Sequence, residues 1–186
     1  MTSRGMKRIF VLLLALVSVV KPAWSALKPG DLATDFTAQA SLAGNEFNFS
    51  LAEALKRGPV VLYFYPAAFT EGCTIEAHNF AEATDAFAAL GATVIGVSKD
   101  NIETLKRFSV SECRNKFAVA ADKDGKITKA YKASLMGGLL GVADRTSYVI
   151  TPDYRILFTY SALDPNGHVD KTMAAVRNWR LGHPAK

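Results

Sequence analysis

The chain has 186 residues, 49% of them hydrophobic, and carries 22 basic against 17 acidic side chains. That length suits one domain able to bury an adequate core without disulfide staples, and no composition shift, repeat or low-complexity run marks a second. The formal charge of +5 is no argument for nucleic acid or anionic lipid: Arg4, Lys7, Arg8 and Lys21 lie in the first twenty-five residues, and beyond them 18 basic residues face 17 acidic ones.

Residues 1–25 read as a secretory signal peptide. Arg4, Lys7 and Arg8 precede an apolar run from Ile9 to Val20, too short for a comfortable membrane span, and Ala23-Trp24-Ser25 offers the small residues of a cleavage site. The expectation is a cut after Ser25 and a periplasmic or otherwise exported chain without stable membrane contact afterwards. An uncleaved N-terminal anchor is the alternative. A single domain then spans 26–186.

Apolar runs rich in β-branched residues predict strands at Val60–Tyr65, Thr93–Ser98, Phe117–Ala121, Thr146–Ile150 and Ile156–Tyr160. Helical spacing predicts helices over Cys73–Leu90, Asn101–Arg114, Lys126–Lys132 and His168–Leu181. Asp122-Lys-Asp-Gly125 is a turn ahead of the third helix, and it lacks the further ligands a calcium loop needs. Thr151-Pro-Asp-Tyr154 reads as a hairpin between the last two strands, which makes the sheet mixed. The fold class is α/β, a mixed central sheet flanked by helices on both faces.

The richest segment is Tyr63-Phe-Tyr-Pro-Ala-Ala-Phe-Thr-Glu-Gly-Cys-Thr-Ile-Glu-Ala-His78, where an apolar strand ends in a turn and delivers a cysteine to the first turn of a helix. Unpaired N–H groups and the partial positive charge of a helix start favour ionised sulfur, so Cys73 is the first candidate nucleophile. In Pro66-x-x-x-Thr70-x-x-Cys73 the Thr70 hydroxyl can face the same pocket as the sulfur and hold an oxygen of a small substrate. The bland reading is a buried structural cysteine.

This pattern resembles the active-site motif of the peroxiredoxins, the alkyl hydroperoxide reductase/thiol-specific antioxidant superfamily. With Gly72-Cys73-Thr74 and Glu76 it is most similar to the Q-type, bacterioferritin-comigratory branch, and the resemblance runs from Asp35-Phe36 to the C-terminal helix. It implies a thioredoxin-like fold and a thiol-dependent peroxidase, serving antioxidant defence without a cofactor, that reduces hydrogen peroxide and organic hydroperoxides. Cys73 would attack the peroxide and become a sulfenic acid. Some relatives in this branch place the resolving cysteine five residues later, where this chain has His78. The other cysteine, Cys113, lies where further members carry theirs, which implies an intramolecular disulfide with local unwinding around Cys73. An inert buried thiol is the alternative for Cys113. An external dithiol, thioredoxin-like or glutaredoxin-like, would close the cycle.

Arg145, in Asp144-Arg-Thr-Ser-Tyr-Val-Ile150, stands where the resemblance puts the family's catalytic arginine; read alone it is a strand-end residue. Its guanidinium would favour the Cys73 thiolate and polarise the peroxide. Glu76 either holds that arginine or is a solvated helix carboxylate. Pro66 shapes the turn and limits water at the sulfur. His78 reads as surface helix, and His168 and His183 have no metal-ligand spacing with anything else. Glu71 replaces the proline usual in this branch and would disfavour the thiolate if it leaned toward the sulfur.

A thioredoxin-type oxidoreductase would need Cys-x-x-Cys, and the residue three after Cys73 is Glu76. The alternative from another class is a non-enzymatic exported binding or holdase protein on a thioredoxin-like scaffold. The apolar, glycine-rich loop Ala133–Val142 either lines the site entrance or is a self-association patch. Asn48-Phe-Ser50 matches a glycosylation sequon. Relatives in the branch are often monomeric, so a monomer or weak dimer is expected.

Overall fold

The computed structural model describes residues 25–184, so the signal-peptide reading falls outside the described residues except at Ser25. Seven strands form one sheet: β1 (Thr37–Leu42), β2 (Asn45–Ser50), β3 (Val60–Phe64), β4 (Thr93–Ser98), β5 (Ala118–Ala121), β6 (Thr146–Ile150) and β7 (Ile156–Ser161). Their spatial order is β2-β1-β5-β4-β3-β6-β7. β3 lies inside the sheet between β4 and β6, and every residue of Val-Val-Leu-Tyr-Phe is buried, as a strand covered on both faces must be. It runs parallel to β4 and antiparallel to β6, and β6–β7 is the hairpin the Thr151-Pro turn predicts.

Five helices cover the sheet: α1 (Leu51–Leu55), α2 (Glu71–Ala89), α3 (Ile102–Ser111), α4 (Lys126–Ala130) and α5 (His168–Gly182). Strand alternation divides the core. Val60, Leu62, Phe64, Ile95 and Tyr148 pack on one face against Leu51, Leu55 and Tyr131, beside α1 and α4. Val61, Tyr63, Val94 and Val149 pack on the other against Phe80, Leu105, Phe108 and Val176 of α2, α3 and α5. Tyr63 stacks on Phe80 at 4.5 Å, and a Cβ on Gly96 would lie 2.7 Å from the Tyr63 ring, so β4 must have glycine there.

The architecture is the α/β, thioredoxin-like one expected, with three differences in detail. The hairpin β1–β2 and α1 have no counterpart in the strands and helices read from sequence. Thr-Ala-Gln-Ala-Ser-Leu and Asn-Glu-Phe-Asn-Phe-Ser are mostly polar or small, and their register is set by Ala43 and Gly44, at φ 53° and 78°. Ser50 of the sequon is the N-cap of α1, accepting the Glu53 N–H. The helix read over Asn101–Arg114 stops at Ser111, because Arg114 and Asn115 both turn left-handed, at φ 50° and 59°. The helix read over Lys126–Lys132 ends at Ala130. The Asp122 carboxylate is used within the protein, accepting the backbone N–H groups of Ile127 and Thr128 at 3.0 and 2.7 Å.

Candidate active site

β3 delivers the chain to a short loop that is fastened at three points before α2 begins. The Tyr65 N–H bonds Val97 O at 3.2 Å, and the Ala68 N–H bonds the Asp100 carboxylate at 2.8 Å. The Phe69 ring meets Phe108 edge-on at 5.2 Å, and its backbone sits at φ 65°, a left-handed conformation rare for an aromatic residue. Thr70 is then the N-cap of α2. The first helical bond is made by the Thr74 N–H to Thr70 O at 2.9 Å, which leaves the N–H groups of the preceding residues, Cys73 included, without a partner inside the helix. The Cys73 side chain turns inward and is 1% exposed.

Arg145 reaches this sulfur because of sheet polarity. Phe64, the last residue of β3, pairs with Thr146, the first of β6, so the residue entering β6 lies at the end of β3 where the loop emerges. The guanidinium is held on three sides. Nη2 donates to Cys73 Sγ at 3.6 Å, Nε donates to Leu163 O at 3.0 Å, and Nη1 donates to Glu76 Oε2. Burial works against the charge on Arg145, but Glu76 and Cys73 outweigh it and raise its pKa. Glu76 comes in on the same helix, three residues after Cys73, and is wholly buried. Burial raises its carboxyl to about 8 even with Arg145 pulling the other way. Of its two readings from sequence, the structure contains the arginine partner.

Behind Glu76 stands His168, the first residue of α5 and also wholly buried. Its Nε2 lies 3.0 Å from Ala162 O, and its Nδ1 lies 2.8 Å from Ser147 Oγ and 3.5 Å from Glu76 Oε1. Burial lowers it to about 4; the Ala162 carbonyl opposes that shift and Arg145 adds to it. In the sequence His168 is notable only for lacking metal-ligand spacing. Nothing in the chain order hints that it meets Glu76, ninety-two residues earlier. Asp100, which pins the loop, is likewise silent in the sequence.

The remaining candidates lie nearby in different settings. Thr70 is exposed and its hydroxyl donates to Ala67 O at 3.0 Å, which leaves its oxygen free to accept a hydrogen bond from a bound molecule. Pro66 is half-buried in the loop and Glu71 points to solvent. Cys113 is a free thiol, as is Cys73, and is fully buried just past the end of α3. Burial pushes its thiol well up, and Glu112 adds to the shift. Three contacts clip the Cys113 segment onto α2: the ion pairs Arg114–Glu82 at 3.0 Å and Lys116–Asp85 at 2.9 Å, and His78 Nε2 at 2.9 Å from the Glu112 carboxylate. His78 is thus engaged rather than idle. In the loop Ala133–Val142, Met136, Leu139 and Leu140 are exposed, and Lys99 Nζ donates to Gly141 O at 2.8 Å. Among the described residues no His, Cys, Asp and Glu cluster has metal-binding geometry.

Comparison with known proteins points one way. A family profile described as the AhpC/TSA family matches residues 29–159. Peroxiredoxin Bcp of Escherichia coli K12 is 30% identical over 161 residues, covering 84% of this chain and 97% of that one. The chloroplastic peroxiredoxin Q of Gentiana triflora is 36% identical over 129 residues, covering 68% of this chain and 57% of its own length. Among solved structures, peroxidoxin BcpB from Mycobacterium tuberculosis superposes with a TM-score of 0.74 at 32% identity, covering 82% of this chain and 97% of that one.

Proposed function

We propose a mechanism from one premise: the chain belongs to the AhpC/TSA family and is a peroxiredoxin, a thiol-dependent peroxidase whose substrates are hydroperoxides and whose reductant is a thiol. Cys73 is the peroxidatic residue. Its thiolate attacks the terminal oxygen of the hydroperoxide, the S–O bond forms as the O–O bond breaks, and the departing oxygen leaves as water or an alcohol after taking one proton. Sulfenic acid remains on Cys73.

The observation that carries this reading is the Arg145 guanidinium, one arm on the sulfur and the others fixed by Glu76 and Leu163. Negative charge moves from sulfur onto the oxygens as the bond lengthens, and a fixed cation beside the sulfur meets that charge without reorganising. Thr70, its own proton committed to Ala67 O, accepts the hydroperoxide O–H and orients it. Pro66 excludes water from the approach. The non-enzymatic binding or holdase reading has no support from the family.

Cys113 is the resolving residue in this scheme. Its thiolate attacks the sulfenic sulfur, water leaves, and an intramolecular disulfide forms; a thioredoxin-like or glutaredoxin-like dithiol then reduces it by exchange. Because Cys113 is fully buried, the step needs its segment to leave α2. The two ion pairs to be broken, Arg114–Glu82 and Lys116–Asp85, are largely exposed and cost little. The same burial favours a second reading, a one-cysteine enzyme that relies on an outside thiol. Peptide mapping after one equivalent of hydrogen peroxide separates the two. A linked Cys73–Cys113 peptide is expected; sulfenic or sulfinic acid on Cys73 beside an untouched Cys113 selects the one-cysteine enzyme, and an unmodified Cys73 removes the peroxidatic assignment.

Gly72 has a role in this geometry. A Cβ there would lie 2.9 Å from Arg145 Nη2, and a guanidinium pinned on three sides cannot swing clear. Gly72→Ala is expected to slow Cys73 oxidation by peroxide roughly 10–100-fold. Stopped-flow kinetics on the variant, with Tm as the control for folding, checks it.

We further propose that the protein is exported to the periplasm or an equivalent compartment, cut after Ser25, and works as a monomer or weak dimer. The charged start and short apolar run of residues 1–25 support export.

A further inference from the structure

Glu76 Oε1 is a buried oxygen with no hydrogen-bond partner, and it faces His168 Nδ1 at 3.5 Å. Ala162 O can only accept, so His168 carries its proton on Nε2, 3.0 Å away, and a neutral imidazole then presents Nδ1 as an acceptor to Ser147 Oγ at 2.8 Å and to Glu76 Oε1 at 3.5 Å. An ionised carboxylate opposite the Nδ1 lone pair is repelled by it. A proton between the two atoms removes the conflict.

The total charge argues the same way. A Cys73 thiolate, Arg145 and an ionised Glu76 together hold one uncompensated negative charge in a dry site, which is costly. One proton on the Glu76–His168 pair makes the cluster neutral. The imidazole is the poorer home for a full charge, because it opens α5 at the positive end of the helix, near Arg145. The other groups around it are the neutral Ser147 on β6, Asp164 in the loop beyond β7, and the Tyr160 ring, edge-on at 4.8 Å. The Ser147 hydroxyl, free to turn, caps Nδ1 when the proton is absent.

We propose that His168 is a positioning residue of the peroxidase site: Glu76 Oε1 and His168 Nδ1 hold one shared proton, which keeps Glu76 neutral and leaves the charge of Arg145 to the Cys73 sulfur. This rests on the assignment of Cys73 and Arg145 above. Glu76 still accepts from Arg145 Nη1 through Oε2, so the guanidinium stays aimed while its charge is not cancelled.

The test uses full-length protein carrying Cys113→Ser, so that a single thiol titrates, and follows thiolate absorbance against pH together with the rate of oxidation by hydrogen peroxide. His168→Leu removes the acceptor, Glu76 ionises more readily and competes for Arg145, and the thiolate profile moves up by about one pH unit with about a 10-fold slower reaction at pH 7. His168→Asn, whose amide oxygen can stand in for Nδ1, recovers most of the loss. Glu76→Gln serves as the background for a double-mutant comparison, its amide N–H donating to Nδ1: adding His168→Leu to it shifts the thiolate profile by no more than a few tenths of a unit. An infrared band of a protonated carboxyl, present in the parent and absent in Glu76→Gln, reports the proton directly.

An unchanged profile in His168→Leu overturns the pair while leaving Cys73 and Arg145 in place. An equal loss with and without Glu76→Gln makes His168 a packing residue only. A parent whose Cys73 is not oxidised by peroxide removes the peroxidatic assignment itself, a failure distinct from both.

Discussion

Cys73→Ser is expected to abolish peroxide consumption, a loss of about 10⁴-fold or more, while the protein stays folded. A serine hydroxyl is not ionised at neutral pH, and its oxygen is a poor nucleophile toward an O–O bond, so neither the helix start nor Arg145 can rescue it. The fold should tolerate the change. The side chain is nearly isosteric, and its oxygen can accept the Arg145 Nη2 donor that now reaches sulfur at 3.6 Å. A Tm within a few degrees of the parent, with no consumption of hydrogen peroxide or of an organic hydroperoxide, is the expected pair of readings. Retained turnover would mean that another group does the chemistry. Cys113→Ser is the control: it still oxidises once at Cys73 but cannot form the internal disulfide.

Much of this arrangement is legible in the sequence, for identifiable reasons. β3, β4 and β6 announce themselves because an interior strand, buried on both faces, reads as a run dominated by apolar and β-branched residues. The motif around Cys73 is local, so residue spacing alone puts thiol and helix start together. Arg145 is different. Its approach to Cys73 depends on the antiparallel pairing of β3 with β6, and only family resemblance anticipates it. His168 and Asp100 were out of reach. Each acts through one long-range contact, Nδ1 on Glu76 or a carboxylate on the Ala68 N–H, with no pattern in the chain to mark it. The β1–β2 hairpin hid for another reason: a sheet edge of small and polar residues lacks the hydrophobic period by which strands are recognised.

Arg145→Lys separates charge from geometry at the same centre. An ammonium can supply a positive charge near the sulfur but not three fixed arms, one each for Sγ, Glu76 and Leu163 O. The expected loss in the rate of Cys73 oxidation is about 10²–10³-fold, the scale of removing a fixed donor from a developing negative charge. Arg145→Met, which removes the charge as well, should lose more. Stability should follow pH through Glu76. Its folded value, about 8, lies above the ordinary 4.5, so the fold prefers the neutral carboxyl; that contribution is intact below about 4.5 and is lost as pH rises toward 8. Without Arg145 the buried carboxyl has no cation to offset burial, so Arg145→Met should lose more stability than the parent between pH 5 and pH 8, and adding Glu76→Gln should cancel that extra slope. Thermal melts at the two pH values read this directly. If lysine keeps more than about a third of the parent rate, charge alone suffices and the fixed fork is not what Cys73 needs.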